Sequence, residues 1–119
     1  MTYWGYHLCL DCAGADSAAI DDHDTIYAFV KELVVAIDMK AYGEPQIVRF
    51  AEHDLSKAGY SLTQLIETSN ICAHFVPHYS QLYLDVFSCK EFDIDTVVKV
   101  TKKYFKADKV KVTFLTRSA

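Results

Sequence analysis

Residues 4–12 alternate cleanly. Trp4, Tyr6, Leu8, Leu10 and Cys12 fall on one side, and Gly5, His7, Cys9 and Asp11 on the other. A period of two predicts a half-buried strand. The small, polar and acidic run from Ala13 to Asp22 reads as a loop that ends in a helix cap. The period then changes: Ile26, Phe29, Val30, Leu33, Val34 and Ile37 make one apolar stripe of an amphipathic helix, which Gly43-Glu44-Pro45 should end. Strand-like segments follow at 46–51, 60–67, 70–76 and 82–88, with polar or Gly/Pro-bearing connections. A second helix is predicted from Asp93, carrying Ile94, Val97, Val98, Thr101 and Phe105 on its buried face and Lys102, Lys103 and Lys106 at its end. A closing strand places Val110, Val112 and Phe114 on one face.

The order β-α-β-β-β-β-α-β predicts an α+β fold: a two-layer sandwich of an antiparallel sheet with two helices packed on one face. No repeat or linker interrupts it, so residues 1–119 are expected to form a single domain. Two helices cover one face of such a sheet only. With 13% aromatic residues, the other face is expected to be apolar enough to meet a second copy, giving a homodimer that associates through the sheets.

Composition narrows the function. The chain is 51% hydrophobic and 24% charged, which excludes a disordered or low-complexity protein. A net charge of −4 argues against a nucleic-acid partner. No run approaches the ~18 apolar residues of a membrane span, and Met1 to Gly5 lack the basic start of a signal peptide. A cytoplasmic location with reduced cysteines is the expectation. Cys9 and Cys12 form a C-x-x-C, but an offset of three on a strand puts their side chains on opposite faces, so no metal is expected there. His74 and His78, four apart, read as partly exposed structural residues rather than a metal pair. With 4 glycines and no Gly-rich loop opening a helix, a phosphate-cradling motif is absent.

The segment Ser61-Leu62-Thr63-Gln64-Leu65-Ile66-Glu67-Thr68-Ser69-Asn70-Ile71-Cys72-Ala73-His74-Phe75, followed by Leu84-Asp85-Val86-Phe87-Ser88-Cys89, stands out. It reads either as a plain meander with outward hydroxyls or as hydroxyls, an imidazole and a thiol collected on adjacent strands. The second reading has a family attached. Ser61 lies eight residues before Ser69, His74 five after it and Cys89 twenty after it. These spacings resemble the processing site of the small prokaryotic S-adenosylmethionine decarboxylases, which depend on a pyruvoyl group. Asp85-Val86-Phe87-Ser88-Cys89 is similar to that family's Asp-hydrophobic-Phe-Thr-Cys run, and Gly5-Tyr6-His7-Leu8 to its Gly-x-His-Leu strand.

The resemblance implies a proenzyme that cuts its own chain. The Ser69 hydroxyl attacks the Thr68 carbonyl, the peptide becomes an ester, and elimination then hydrolysis leave a pyruvoyl group at the new N-terminus. His74 and Ser61 match the positions that assist, and the products are fragments of 68 and 51 residues. The pyruvoyl carbonyl takes up the electrons that decarboxylation leaves on the substrate's α-carbon, and Cys89 returns the proton. The site then lies between two protomers, and S-adenosylmethionine becomes the aminopropyl donor for spermidine. The chain departs from the family pattern at the cut, where Thr68-Ser69-Asn70 replaces Glu-Ser-His and Glu67 stands one position early. Val76-Pro77-His78 replaces Trp-Pro-Glu, and Leu55 stands where an adenine-stacking phenylalanine is expected, with Phe50 nearby. Leu55, Glu67 and His78 are therefore the substrate-binding candidates. The altered nucleoside contacts leave a pyruvoyl-dependent ornithine or arginine decarboxylase open, and the altered cut at Thr68-Ser69-Asn70 leaves open an uncleaved homologue acting as a binding or regulatory partner.

Overall fold

A computed structural model describes residues 3–119; Met1 and Thr2, part of the expectation about the N-terminus, lie outside the described residues. The elements run β1 (Gly5–Ala13), α1 (Ser17–Ile20), α2 (His23–Ala36), β2 (Gln46–Phe50), β3 (Gly59–Ile66), β4 (Ser69–Val76), β5 (Gln81–Ser88), α3 (Ile94–Phe105) and β6 (Lys109–Arg117), with a 3₁₀ turn at Pro77–Tyr79. One six-stranded sheet has the order β2-β3-β4-β5-β1-β6, and every neighbouring pair is antiparallel. All helices lie on one face. The expected α+β two-layer sandwich is the architecture observed.

Alternation decides which residues meet the helices. Leu8, Leu10, Leu62, Ile71, Ala73, Leu82, Leu84 and Val86 are buried from the sheet side, against Ile26, Phe29, Val30, Leu33, Val97 and Phe105 from the helices. Phe105 is the hub: its ring sits 4.8 Å from that of Phe29 and 5.3 Å from that of Phe75, within the range of favourable aromatic packing. Each helix starts on an aspartate. Asp16, Asp22 and Asp93 accept bonds from the first free amides of α1, α2 and α3, as expected of the acidic residues near these starts.

Two boundaries differ from the sequence reading. The run Ala13 to Asp22 contains the one-turn helix α1, because the Asp16 cap and Ile20, which is fully buried, fix it in place. The helix predicted from the Ile26–Ile37 stripe, α2, stops at Ala36, well before Gly43-Glu44-Pro45: Ile37 is its C-cap and Asp38 turns into the left-handed region at φ 58°. Cys12 points into the core and Cys9 to the open face of the sheet, the opposite placement that the period of two requires.

The open face carries Val48, Leu65, Tyr83 and Leu115 as exposed large residues. Among the described residues no helix is long and apolar enough to cross a membrane.

Candidate functional site

The β3–β4 hairpin turns through Glu67 and Thr68, since Ile66 pairs directly with Ser69. Thr68 has φ 58°. That conformation suits glycine or asparagine at the second turn position, and it strains a β-branched residue by about 1–3 kcal/mol. The strained residue is the one whose carbonyl precedes Ser69.

Register then places β5 alongside. Ser69 pairs with Ser88, so the Ser69 hydroxyl donates to the Ser88 oxygen at 2.9 Å. Ser88 is fully buried, and its oxygen also accepts from the Lys90 backbone amide at 2.9 Å. Cys89 follows at the strand end. The Thr68 hydroxyl donates to the Glu67 carbonyl at 2.6 Å, which leaves the Cys89 thiol to donate to the Thr68 oxygen at 2.7 Å. These groups line a cleft of about 460 Å³ together with Asp38, Met39, Lys40, Ile66 and Lys90. Lys90 is held there by the Asp38 carboxylate and carbonyl at 2.9 and 2.7 Å. Two larger clefts, near Phe92 and near Trp4, have no thiol, imidazole or lysine in their walls.

Ser61 and His74 are elsewhere. They face each other across β3 and β4, with the Ser61 oxygen 2.9 Å from His74 Nδ1. His74 lies five residues from Ser69 on one strand, roughly 16 Å away, and an odd offset puts it on the opposite face. The open-face residues Ser61 and His74 and the cleft residues Ser69, Ser88 and Cys89 thus form two separate groups within one chain. Of the substrate-binding candidates, Glu67 is in the cleft wall. His78 sits exposed on the 3₁₀ turn beyond the His74 end of β4, its ring edge-on to Tyr79 at 4.7 Å, and Leu55 is 73% exposed in the loop before β3. Within one chain the sheet therefore separates Ser61, His74, His78 and Leu55 from the Ser69 cleft by the length of β4.

Ser88 and Lys90 were not singled out by sequence reading. Ser88's parity with Leu82, Leu84 and Val86 marks it as an inward hydroxyl, which is the signal that identifies it. A second missed group lies on the open face. His7 Nε2, Cys9 Sγ and Asp85 Oδ1 meet there, His7 and Cys9 from alternate positions of β1 and Asp85 as the register partner of Cys9. Burial first, then the hydrogen bond to Asp85, pushes the Cys9 thiol up to about 11; burial does the same to Cys12. Both stay protonated at neutral pH, and neither is a ready nucleophile.

Residues 6–118 match the family model described as S-adenosylmethionine decarboxylase. The chain belongs to that family. Two curated relatives, both called S-adenosylmethionine decarboxylase proenzyme, come from Methanococcus maripaludis strains S2 and C7. They are 31% and 30% identical over 114 residues, which is 94% of this chain and 88% of each relative. The fold is that of the crystal structure of the adenosylmethionine decarboxylase from Aquifex aeolicus VF5. That similarity has a TM-score of 0.82 at 16% identity and covers 100% of this chain and 94% of the other. Family membership agrees with the resemblance carried by Ser61, Ser69, His74 and Cys89.

Proposed function

We propose that the chain is a self-processing, pyruvoyl-dependent S-adenosylmethionine decarboxylase that makes the aminopropyl donor for spermidine. One observation carries the reading: the nucleophile, the residue to be cut and a thiol share one cleft. The Ser69 hydroxyl is tethered to Ser88, the Thr68 backbone is strained, and Cys89 donates to Thr68. Attack of Ser69 Oγ on the Thr68 carbonyl breaks the C–N bond, forms an ester and relieves the left-handed turn. The Ser88 oxygen accepts the hydrogen bond that orients Ser69 Oγ, and the proton lost on attack ends on the departing Ser69 nitrogen, which becomes the free amine of the ester. Elimination frees the Thr68 carboxylate, and hydrolysis of the resulting dehydroalanine releases ammonia.

The cleft fits the group this produces. The pyruvoyl would arise at residue 69 itself, in a space of about 460 Å³ with Cys89 beside it. Bound to a substrate amine, it supplies an electron sink for decarboxylation. Cys89, in the cleft wall beside Thr68, would hold and return a proton, while Glu67 and Lys90 offer opposite charges at the wall for an amino-acid substrate. His78 and Leu55, remote within the chain, serve substrate only if a second copy contributes them.

That second copy is part of the proposal. The open face is apolar at Val48, Leu65, Tyr83 and Leu115, and it also presents Ser61 and His74. A homodimer packed through its sheets covers the first set and can bring the second toward the partner's Ser69. The self-processing reading predicts fragments of 68 and 51 residues from purified protein on a denaturing gel, and a keto end group by mass spectrometry. A chain that keeps its full mass for days at neutral pH removes every pyruvoyl reading and leaves the non-catalytic homologue. If it cuts, carbon dioxide release from S-adenosylmethionine, ornithine and arginine is compared; preference for ornithine or arginine overturns the substrate. Cys89→Ala should still cut but turn over poorly.

A further inference from the structure

His7 Nε2, Cys9 Sγ and Asp85 Oδ1 form a closed triangle on the open face of the sheet. Nε2 to Oδ1 is 3.1 Å, Sγ to Oδ1 is 3.2 Å and Sγ to Nε2 is 3.6 Å. Hydrogen bonding to Asp85 explains the first two edges, because the imidazole and the thiol each have one proton to donate to the carboxylate. It does not require the third, between the two donors. A tetrahedral zinc ion requires all three: bonds of about 2.3 Å to sulfur and about 2.0–2.2 Å to nitrogen and oxygen set its ligand atoms about 3.3–3.6 Å apart. The triangle needs shifts of only a few tenths of an ångström to match.

The three residues are mounted on inner strands of the sheet. β1 lies between β5 and β6, and β5 between β4 and β1. His7 and Cys9 are two apart, so they share a face without any loop between them. Asp85 stands directly across from Cys9 in the ladder. The Phe87 ring packs edge-on against the imidazole at 5.9 Å and limits its rotation. Side chains so held lose little freedom when a ligand arrives, which favours affinity.

We propose that His7, Cys9 and Asp85 form a binding site for a borderline-soft divalent cation, with zinc preferred. The set of one thiolate, one imidazole and one carboxylate selects zinc or its neighbours over magnesium or calcium, which take oxygen ligands. Binding exchanges the Cys9 thiol proton, released to water, for a metal–sulfur bond; the imidazole binds neutral through Nε2 and Asp85 changes from acceptor to ligand. Three protein ligands leave a fourth position for water or for a group on a second copy. The ion ties β1 to β5 and stands apart from the Ser69 cleft. The proposal is independent of the decarboxylase reading, and Cys9 plays no part in that reading.

Cobalt(II) is the probe. Added to the purified full-length chain, and equally to an uncut Ser69→Ala chain, it should bind one per chain and give a thiolate-to-metal charge-transfer band with the visible bands of tetrahedral cobalt. Zinc should displace it and raise the Tm by about 5 °C or more at a hundredfold excess over Kd. Cys9→Ser should abolish the charge-transfer band and weaken zinc on the order of a hundredfold or more. Asp85→Asn, which keeps side-chain size and one hydrogen bond, should weaken it at least tenfold. Cys72→Ser, across the ladder from Asp85, should change nothing. No thiolate band, a band unchanged in Cys9→Ser, or a band lost in Cys72→Ser instead would each overturn the site and leave a hydrogen-bonded triad only.

Discussion

At the scale of single residues, Ser88 shows how a modest side chain becomes decisive through burial. Its hydroxyl oxygen receives both the Ser69 proton and the Lys90 amide, so it fixes the nucleophile and the start of the loop that carries Cys89. Ser88→Ala removes both bonds and leaves the Lys90 amide without its partner. The loss in stability should be about 1–2 kcal/mol, and the rate of chain cutting should fall tenfold or more because the Ser69 rotamer is released. Ser88→Thr restores the oxygen and should recover most of the rate, whereas a purely structural role would leave the Ala variant cutting normally. Following the 51-residue fragment with time on a gel separates the two. Cys89, His74, Ser61 and Ser69 were legible in sequence because their spacing resembles a known processing site. Ser88 stands in the same run, but its importance lies in its pairing with Ser69, which spacing alone does not reveal.

At the scale of elements, the alternation along the strands and the apolar stripes of α2 and α3 were strong enough to place each strand and both long helices within a few residues. The one-turn helix α1 was hidden because four residues cannot display a helical period; only the Asp16 cap and Ile20 marked it. β3 contains a constraint that alternation also conceals. A Cβ added at Gly59 would stand 1.9 Å from the Phe75 carbonyl oxygen, a backbone atom that cannot swing aside. The glycine lets β3 and β4 approach closely just before the Ser61–His74 pair. Gly59→Ala should therefore cost roughly 3 kcal/mol and lower the Tm by about 10 °C, although alanine is ordinarily the gentler strand residue. A Gly59→Ala variant that melts like the parent in a thermal scan would mean the strands separate at no cost, which close packing forbids.

At the scale of the whole molecule, the separation of two residue groups by the length of β4 is the feature with the widest consequence. Ser61 and His74 stand eight and five residues from Ser69 in sequence, and the strand geometry puts them roughly 16 Å off and on the other face. A strand rises about 3.3 Å per residue, so a five-residue spacing from Ser69 to His74 along a segment that reads as a strand already carries this separation. If each protomer's pair serves its partner's Ser69, two defective chains repair each other. A Ser69→Ala chain cannot be cut, and a His74→Ala chain alone should be cut very slowly. Co-expressed at equal levels and assembling at random, about half of all dimers are mixed, and each mixed dimer has one complete site made of Ser69 from one chain and His74 from the other. About half of the His74→Ala chains should then appear as fragments, and decarboxylation should reach about a quarter of the parent rate. A self-sufficient chain gives a different result: mixing leaves the His74→Ala chains as intact as when they are made alone. Size-exclusion chromatography must show a dimer in the same sample, because a monomer that nevertheless cuts normally would show that the open face has no part in the chemistry.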